Sequence, residues 1–361
     1  MLFRSGDTLG FRSKTPERAY DEMAYLARRH NVRRIGCVDN ILDLRYIDTL
    51  FPRLEASGLN LELFYEIKAN IRLDQLQKMR RGGVRHVQPG IESLSSEVLR
   101  LMEKGCTAFQ NIQLLRWCEE LGIDVSWNIL AGFPGETPEH YEQMAGLVPL
   151  LTHLSPPASC AQIRLDRFSP FHFRSQDFEM QRIRPARAYY YVFPLGRAEL
   201  ARLAYFFHFD YGDGRKPDDY IASLRREVRL WWGARNQEGD ARSRLDSRIE
   251  ADGSILIQDT RPIARAPEHR LSGATAAVFL RCDVAATWSA LLRVPEIAGD
   301  EARLRSIIDE LKALALLAEH EGQYLTLTVF RDRPAAVEPV QKHALIPISQ
   351  TVAAEPLLRL V

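Results

Sequence analysis

Short apolar runs recur along this chain, each followed by a segment of helical period, and that order restricts the fold more than any other feature. The runs lie at residues 35–38, 61–67, 84–87, 125–130 and 162–165. Between them, apolar residues return every third or fourth position: Leu73, Leu76 and Met79; Leu114, Leu115, Cys118 and Leu121; Tyr141, Met144 and Leu147. Strand, helix and strand in one sheet require parallel pairing with right-handed crossovers. The expected fold class is therefore α/β with a parallel sheet, its ligand site at the carboxyl ends of the strands. The chain opens on a helix, because Thr15-Pro16-Glu17 combines a hydroxyl cap, a proline at the first helical position and an acid in the first turn. Met23, Leu26 and Ala27 mark its buried stripe.

A length of 361 residues exceeds one ordinary core, so a large domain and a smaller one are expected. Hydrophobic residues make up 46% and charged ones 26%, which is the balance of a globular protein and leaves no apolar run long enough to span a bilayer. Without a signal-peptide apolar region either, the expected location is the cytoplasm. The 48 basic and 47 acidic side chains give a net charge of +1, and hence no global pull on nucleic acid or membranes. Five cysteines, Cys37, Cys106, Cys118, Cys160 and Cys282, are far apart and form no CxxC pair, so burial is the expected role of each. GxSxG, P-loop and HExxH patterns are absent, which gives hydrolase and zinc mechanisms little support.

Residues 1–235 are read as the larger α/β domain with an aromatic-rich extension. In that extension, residues 167–232, the aromatics of FSPFHF, YYYVFP, AYFFHFDY and WW either pack across that domain or line a channel for an extended peptide or an apolar cofactor. Residues 236–247, within the polar stretch 233–248, read as a linker. Residues 248–330 follow as a winged-helix-like α+β domain: a strand at 255–257, helices at 274–282, 284–293 and 302–319, and a strand at 324–330. The strand near Ile255 is expected to be exposed, able to pair with an extended peptide. The proline-containing tail, 331–361, is expected to be poorly ordered.

Two strand-to-helix junctions carry polar groups. One is Gly90-Ile91-Glu92-Ser93, before a helix-period segment with Val98, Leu99 and Met102 that ends in Lys104-Gly105; the other is Gly132-Phe133-Pro134-Gly135-Glu136, after VSWNIL. IES with KG, together with GFPGET, resembles the core of the radical S-adenosylmethionine (SAM) enzymes. FRSKTPER, VDNILD, FYEIKAN, QPGIES, QNIQLLRWC and IRLDRFSPF, in that order from Phe11 to about Pro194, are similar to the cobalamin-associated branch that matures ribosomally made peptides.

The resemblance implies that residues 1–235 form a partial (β/α) radical-SAM-type barrel, open where its first strand should be, and it implies SAM contacts. Glu92 and Ser93 would meet the ribose hydroxyls, with Ser95 left to cap the following helix. Gly132, Gly135 and Glu136 would help seat SAM. Asp39 and Asn40, directly after the run 35–38, would bind its ammonium group, or else form an ordinary turn. Glu66 and Lys68 project to one face, opposite Tyr65 and Ile67, as ligand contacts or as a buried ion pair. Arg164 and Asp166 repeat that spacing.

A radical SAM maturase would use SAM, a 4Fe-4S cluster and cobalamin, with a precursor peptide as substrate and an electron donor as partner. Its activity would be C-methylation of the peptide or related radical chemistry. Nucleic acid and membrane are not expected as partners. The family's CxxxCxxC cluster loop belongs just before Phe11, where this sequence has Met1 and no cysteine in ten residues, so a truncated or degenerate chain, inactive alone, is expected. Two other readings remain: a non-catalytic peptide-binding protein that keeps the barrel, and a radical enzyme acting on transfer RNA.

Overall fold

The computed structural model describes residues 11–331. Helix α1 (Pro16–His30) starts as its sequence requires, with the Thr15 hydroxyl accepting from the Arg18 amide; Met23 and Ala27 face inward, but Leu26 is exposed. Strand β1 (Arg34–Gly36) is followed by α2 (Leu50–Ala56), β2 (Glu62–Ile67), α3 (Leu73–Arg81) and β3 (Val84–Pro89). The chain continues through α4 (Ser96–Leu101), α5 (Ala108–Glu120), β4 (Asp124–Val125), β5 (Asn128–Ala131), α6 (Pro138–Leu151) and β6 (Ser159–Gln162). Strands β1 to β4 form one parallel sheet in sequence order, and β5 and β6 a second parallel pair. A bridge from Glu92 to Ile129 joins the two sheets, with the Leu130 amide donating to the Glu92 carbonyl at 2.9 Å. The result is the expected partial (β/α) barrel. Its alternating strand pattern buries Leu63, Tyr65 and Ile67 on one side and leaves Glu66 on the other.

The fifth apolar run does not form one strand. β6 ends at Gln162, and β7 (Leu165–Asp166) belongs to a separate antiparallel sheet. After α7 (Pro170–Phe173) and β8 (Met180–Pro185) come α8 (Arg187–Val192), α9 (Arg197–Leu203) and β9 (Phe206–Tyr211), which lies between β7 and β8. This sheet covers a cluster of Val98, Leu99, Met102, Phe133, Phe171 and Phe207, so much of the aromatic segment is packing. The short α10 (Pro217–Tyr220) leads into α11 (Ala222–Arg235), which lies against α6 and buries Trp231 beside Trp127.

Residues 236–247 are not simply a linker, since β10 (Leu245–Ile249) begins within them. β10 pairs with β11 (Ile255–Asp259), which pairs with β12 (Glu268–Leu271). Then follow α12 (Gly273–Arg281), β13 (Ala286–Thr287), α13 (Trp288–Leu291), α14 (Glu301–Ala313), β14 (Leu317–His320), β15 (Gln323–Thr326) and β16 (Val329–Phe330). Helix, strand, two helices and a hairpin, with β13, β15 and β14 in one sheet, give the order of a winged helix. Three details depart from the sequence reading. The helix expected at 302–319 stops at Ala313 so that β14 can form; residues 284–293 divide into β13 and α13; and β11 is paired on both sides rather than exposed. The tail expected after 331 lies outside the described residues.

Barrel and C-terminal domain share one core. The fully buried Arg116 of α5 donates through Nε to the Thr328 carbonyl at 2.9 Å and through Nη2 to Asp283 at 2.7 Å. His153, after α6, meets the Leu327 carbonyl at 2.8 Å. No described helix is long and apolar enough to cross a membrane.

Candidate functional site

A cavity of about 300 Å³ opens at the carboxyl ends of β1, β2 and β3 and at the break between β4 and β5. Parallel strands end there together, so their following residues converge. Asn40 comes from the turn after β1, Glu66, Lys68 and Asn70 from the end of β2, Gln88, Gly90 and Glu92 from the end of β3, and Asn128 from the start of β5. Trp127 supplies an apolar wall, its indole N–H donating to the Ser155 carbonyl at 2.9 Å. The alternation of β2 that buries Tyr65 and Ile67 is what delivers Glu66 and Lys68.

The floor is an ion pair. Lys104 Nζ lies 3.4 Å from Glu92 Oε1, with side chains only 5% and 8% exposed. Glu92 has a left-handed backbone (φ 61°), a conformation that costs a non-glycine residue free energy and that collects at functional sites. Glu103 and Gly105 are left-handed too, and these two turns carry Lys104 back beneath Glu92. Gly90 makes room for it: a Cβ there would sit 2.7 Å from Lys104 Nζ.

Of the residues implied by resemblance, the cavity brings together Asn40, Glu66, Lys68 and Glu92. The others are placed elsewhere. Asp39 is exposed and does not line the cavity. Ser93 is fully buried, its hydroxyl directed at Met144 Sδ (3.4 Å) and accepting from the Ser95 amide. Ser95 caps α4, accepting from Val98. Glu136 turns inward, where its carboxylate accepts from the Gly132 and Phe133 amides and from the hydroxyls of Tyr141 and Tyr220. Burial and that carboxylate together push both tyrosines above their ordinary range. Gly132 faces the Tyr211 hydroxyl, which donates to its carbonyl at 2.8 Å, and Gly135 abuts Leu101. Arg164 and Asp166 pair with each other at 2.7 Å and do not line the cavity, with Arg164 over the Phe206 ring. Lys104, Gln88 and Asn128 were not among the expected residues; the Lys104-Gly105 pair was the available signal.

The cysteines do not form a cluster site. Cys37, Cys118 and Cys282 are buried, while Cys106 and Cys160 are half-buried. Burial raises every thiol, Cys37 and Cys160 to about 11 and Cys282 to about 12. Iron-sulfur clusters are held by grouped thiolates, so these residues do not fit one. The polar cavity does fit a zwitterionic ligand, since three carboxylates (Glu66, Glu92 and Glu103) and two ammonium groups (Lys68 and Lys104) line it.

A parallel half-barrel with a polar cavity at its strand ends defines an α/β-barrel ligand-binding protein. Residues 3–148 match the radical SAM superfamily. The chain is 29% identical over 136 residues to an uncharacterised methyltransferase of Pyrococcus horikoshii, covering 37% of this chain and 29% of that protein. It is 28% identical over 151 residues to the tRNA-2-methylthio-N(6)-dimethylallyladenosine synthase of Anoxybacillus flavithermus, covering 38% and 28%. The matches thus span under a third of those relatives' lengths. Among solved structures, the radical SAM methyltransferase TsrM of Kitasatospora setae, with cobalamin and a [4Fe-4S] cluster bound, is 18% identical, with 60% of this chain and 47% of that one covered and a TM-score of 0.46.

Proposed function

We propose that this chain is the SAM-binding half-barrel and C-terminal domain of a radical SAM enzyme that modifies a ribosomally made precursor peptide, by methylation or related chemistry. The observation that carries the reading is the cavity in which Glu66, Lys68, Glu92, Lys104 and Asn128 converge inside a radical SAM domain. When bound, SAM supplies the methyl or adenosyl group of such reactions. Glu66 and Glu92 would accept hydrogen bonds from its ammonium and ribose hydroxyl groups, and Lys68 would attract its carboxylate. Trp127 shields one wall from water. The described residues offer no grouped thiolates to hold a cluster. Six peptide-maturase motifs in order, and a near-neutral chain, support a peptide over RNA as substrate. The winged-helix-like domain is assigned to holding that peptide.

Calorimetric titration with SAM tests the site. Lys68 is exposed and makes no ion pair among the described residues, so Lys68→Met should weaken binding at least tenfold and leave the melting temperature unchanged. Equal binding by wild type and variant, or no binding by either, would remove the assignment. Crosslinking of the full chain to a precursor peptide checks the domain's role, since crosslinks confined to the barrel would contradict it.

A further inference from the structure

We propose that the groove formed by β8, α8 and α9 docks an acidic segment of the substrate peptide, one in which carboxylates alternate with apolar side chains. The inference rests on the reading that the substrate is a peptide. It starts from YYYVFP, the one aromatic motif of the extension that stays largely outside the packing. Helix α8 buries none of its residues, and Tyr191 is 82% exposed, with Tyr190, Val192, Phe193 and Leu195 exposed beside it.

The adjoining groove, about 320 Å³, is walled by Arg184, Arg187, Arg197, His208, Tyr190 and Tyr191, and no acid lines it. Arg184 is committed to Asp210 at 3.1 Å and to the Arg182 carbonyl at 2.9 Å. Arg187 and Arg197 have no ion-pair partner among the described residues. In a chain of net charge +1, three guanidinium groups in one wall are a local excess that carboxylates would neutralise.

Charge and shape select the occupant. Single-stranded RNA needs a long basic track with rings set to receive successive bases. Here two arginines are uncommitted, and Tyr189 and Phe193 stack on each other at 6.3 Å. Two carboxylates with apolar neighbours fit the two arginines and the Tyr191 to Leu195 surface. Addition of a strand to β8 is disfavoured, although β8 is a sheet edge, because Pro185 lacks an amide proton and Arg182 is left-handed (φ 50°). Recognition therefore goes through side chains.

Fluorescence anisotropy of the full chain decides, using a labelled peptide of alternating Glu and Leu, its Gln and Leu counterpart, and labelled oligouridylate. The acidic peptide should bind, more weakly as salt rises, and at least tenfold more weakly to Arg187→Gln/Arg197→Gln, whose sites are exposed enough to leave the fold intact. No acidic-peptide binding, equal binding to wild type and the double variant, equal binding of the Gln peptide, or a preference for oligouridylate would each overturn the groove assignment. SAM titration of the same double variant keeps the two ideas apart. SAM binding with no acidic-peptide binding sinks the groove alone, and arginine-dependent peptide binding without SAM binding sinks the cavity assignment alone.

Discussion

Lys104 and Glu92 show how much one pair of side chains can hold. Each is nearly buried, so each charge is stabilised by the other, and removing one partner of such a pair costs about 3 kcal/mol. Lys104→Met should therefore lower the denaturation midpoint in urea and weaken SAM binding. Adding Glu92→Gln should recover much of the stability and none of the binding. Recovery of both would mark the pair as structural only. The sequence made Glu92 visible because IES stands at a strand end, but its partner twelve residues away was hidden. Two left-handed residues, Glu103 and Gly105, return Lys104 to the cavity, and side-chain spacing carries no sign of such a reversal. Ser93 was misplaced for a related reason: it follows a left-handed break at Glu92, so strand alternation no longer says which way it points.

The loop after β5 works as an element. Its glycines allow close approach of Tyr211 and Leu101, and Glu136 gathers two amides and two tyrosine hydroxyls around itself. Turn chemistry in Gly-Phe-Pro-Gly was legible, but its purpose was not, because Tyr211 and Tyr220 lie some eighty residues on and meet the loop only after the antiparallel sheet and α11 have formed. Glu136→Ala leaves four donors without their acceptor, at about 1–3 kcal/mol for each buried group left unsatisfied. The variant should melt well below wild type, and a fluorescence titration should show tyrosine hydroxyls ionising at lower pH once the carboxylate is gone. An unchanged melting temperature would mean that the loop closes by other contacts. At the same scale, the parallel strands and the winged-helix order were readable from periodicity, while the end of α14 was not. Residues 317–319 keep a helical composition, and only their pairing with β15 makes them strand.

For the whole molecule, the barrel and the C-terminal domain behave as one unit because buried polar groups cross between them. His153 has its Nε2–H donating to the Leu327 carbonyl, and burial first, then the nearby Arg261 guanidinium, hold its pKa well below the ordinary 6.5. The folded chain thus keeps the ring neutral while the unfolded chain protonates it, so stability falls as pH drops below about 6.5, by up to about 1.4 kcal/mol per pH unit for this one proton. Urea midpoints measured from pH 7.5 to 5 should decline in wild type and decline less steeply in His153→Gln; identical slopes would rule the histidine out as the source. The join between β16 and β10 has a consequence for synthesis. Asp246 and Ser247 leave the ribosome more than eighty residues ahead of Val329 and Phe330, the partners they require on that side. Until the last of these emerges, β10 presents an open backbone edge, so the nascent domain waits on β16 and is most exposed to mispairing or to chaperone capture while residues 250–328 are being made.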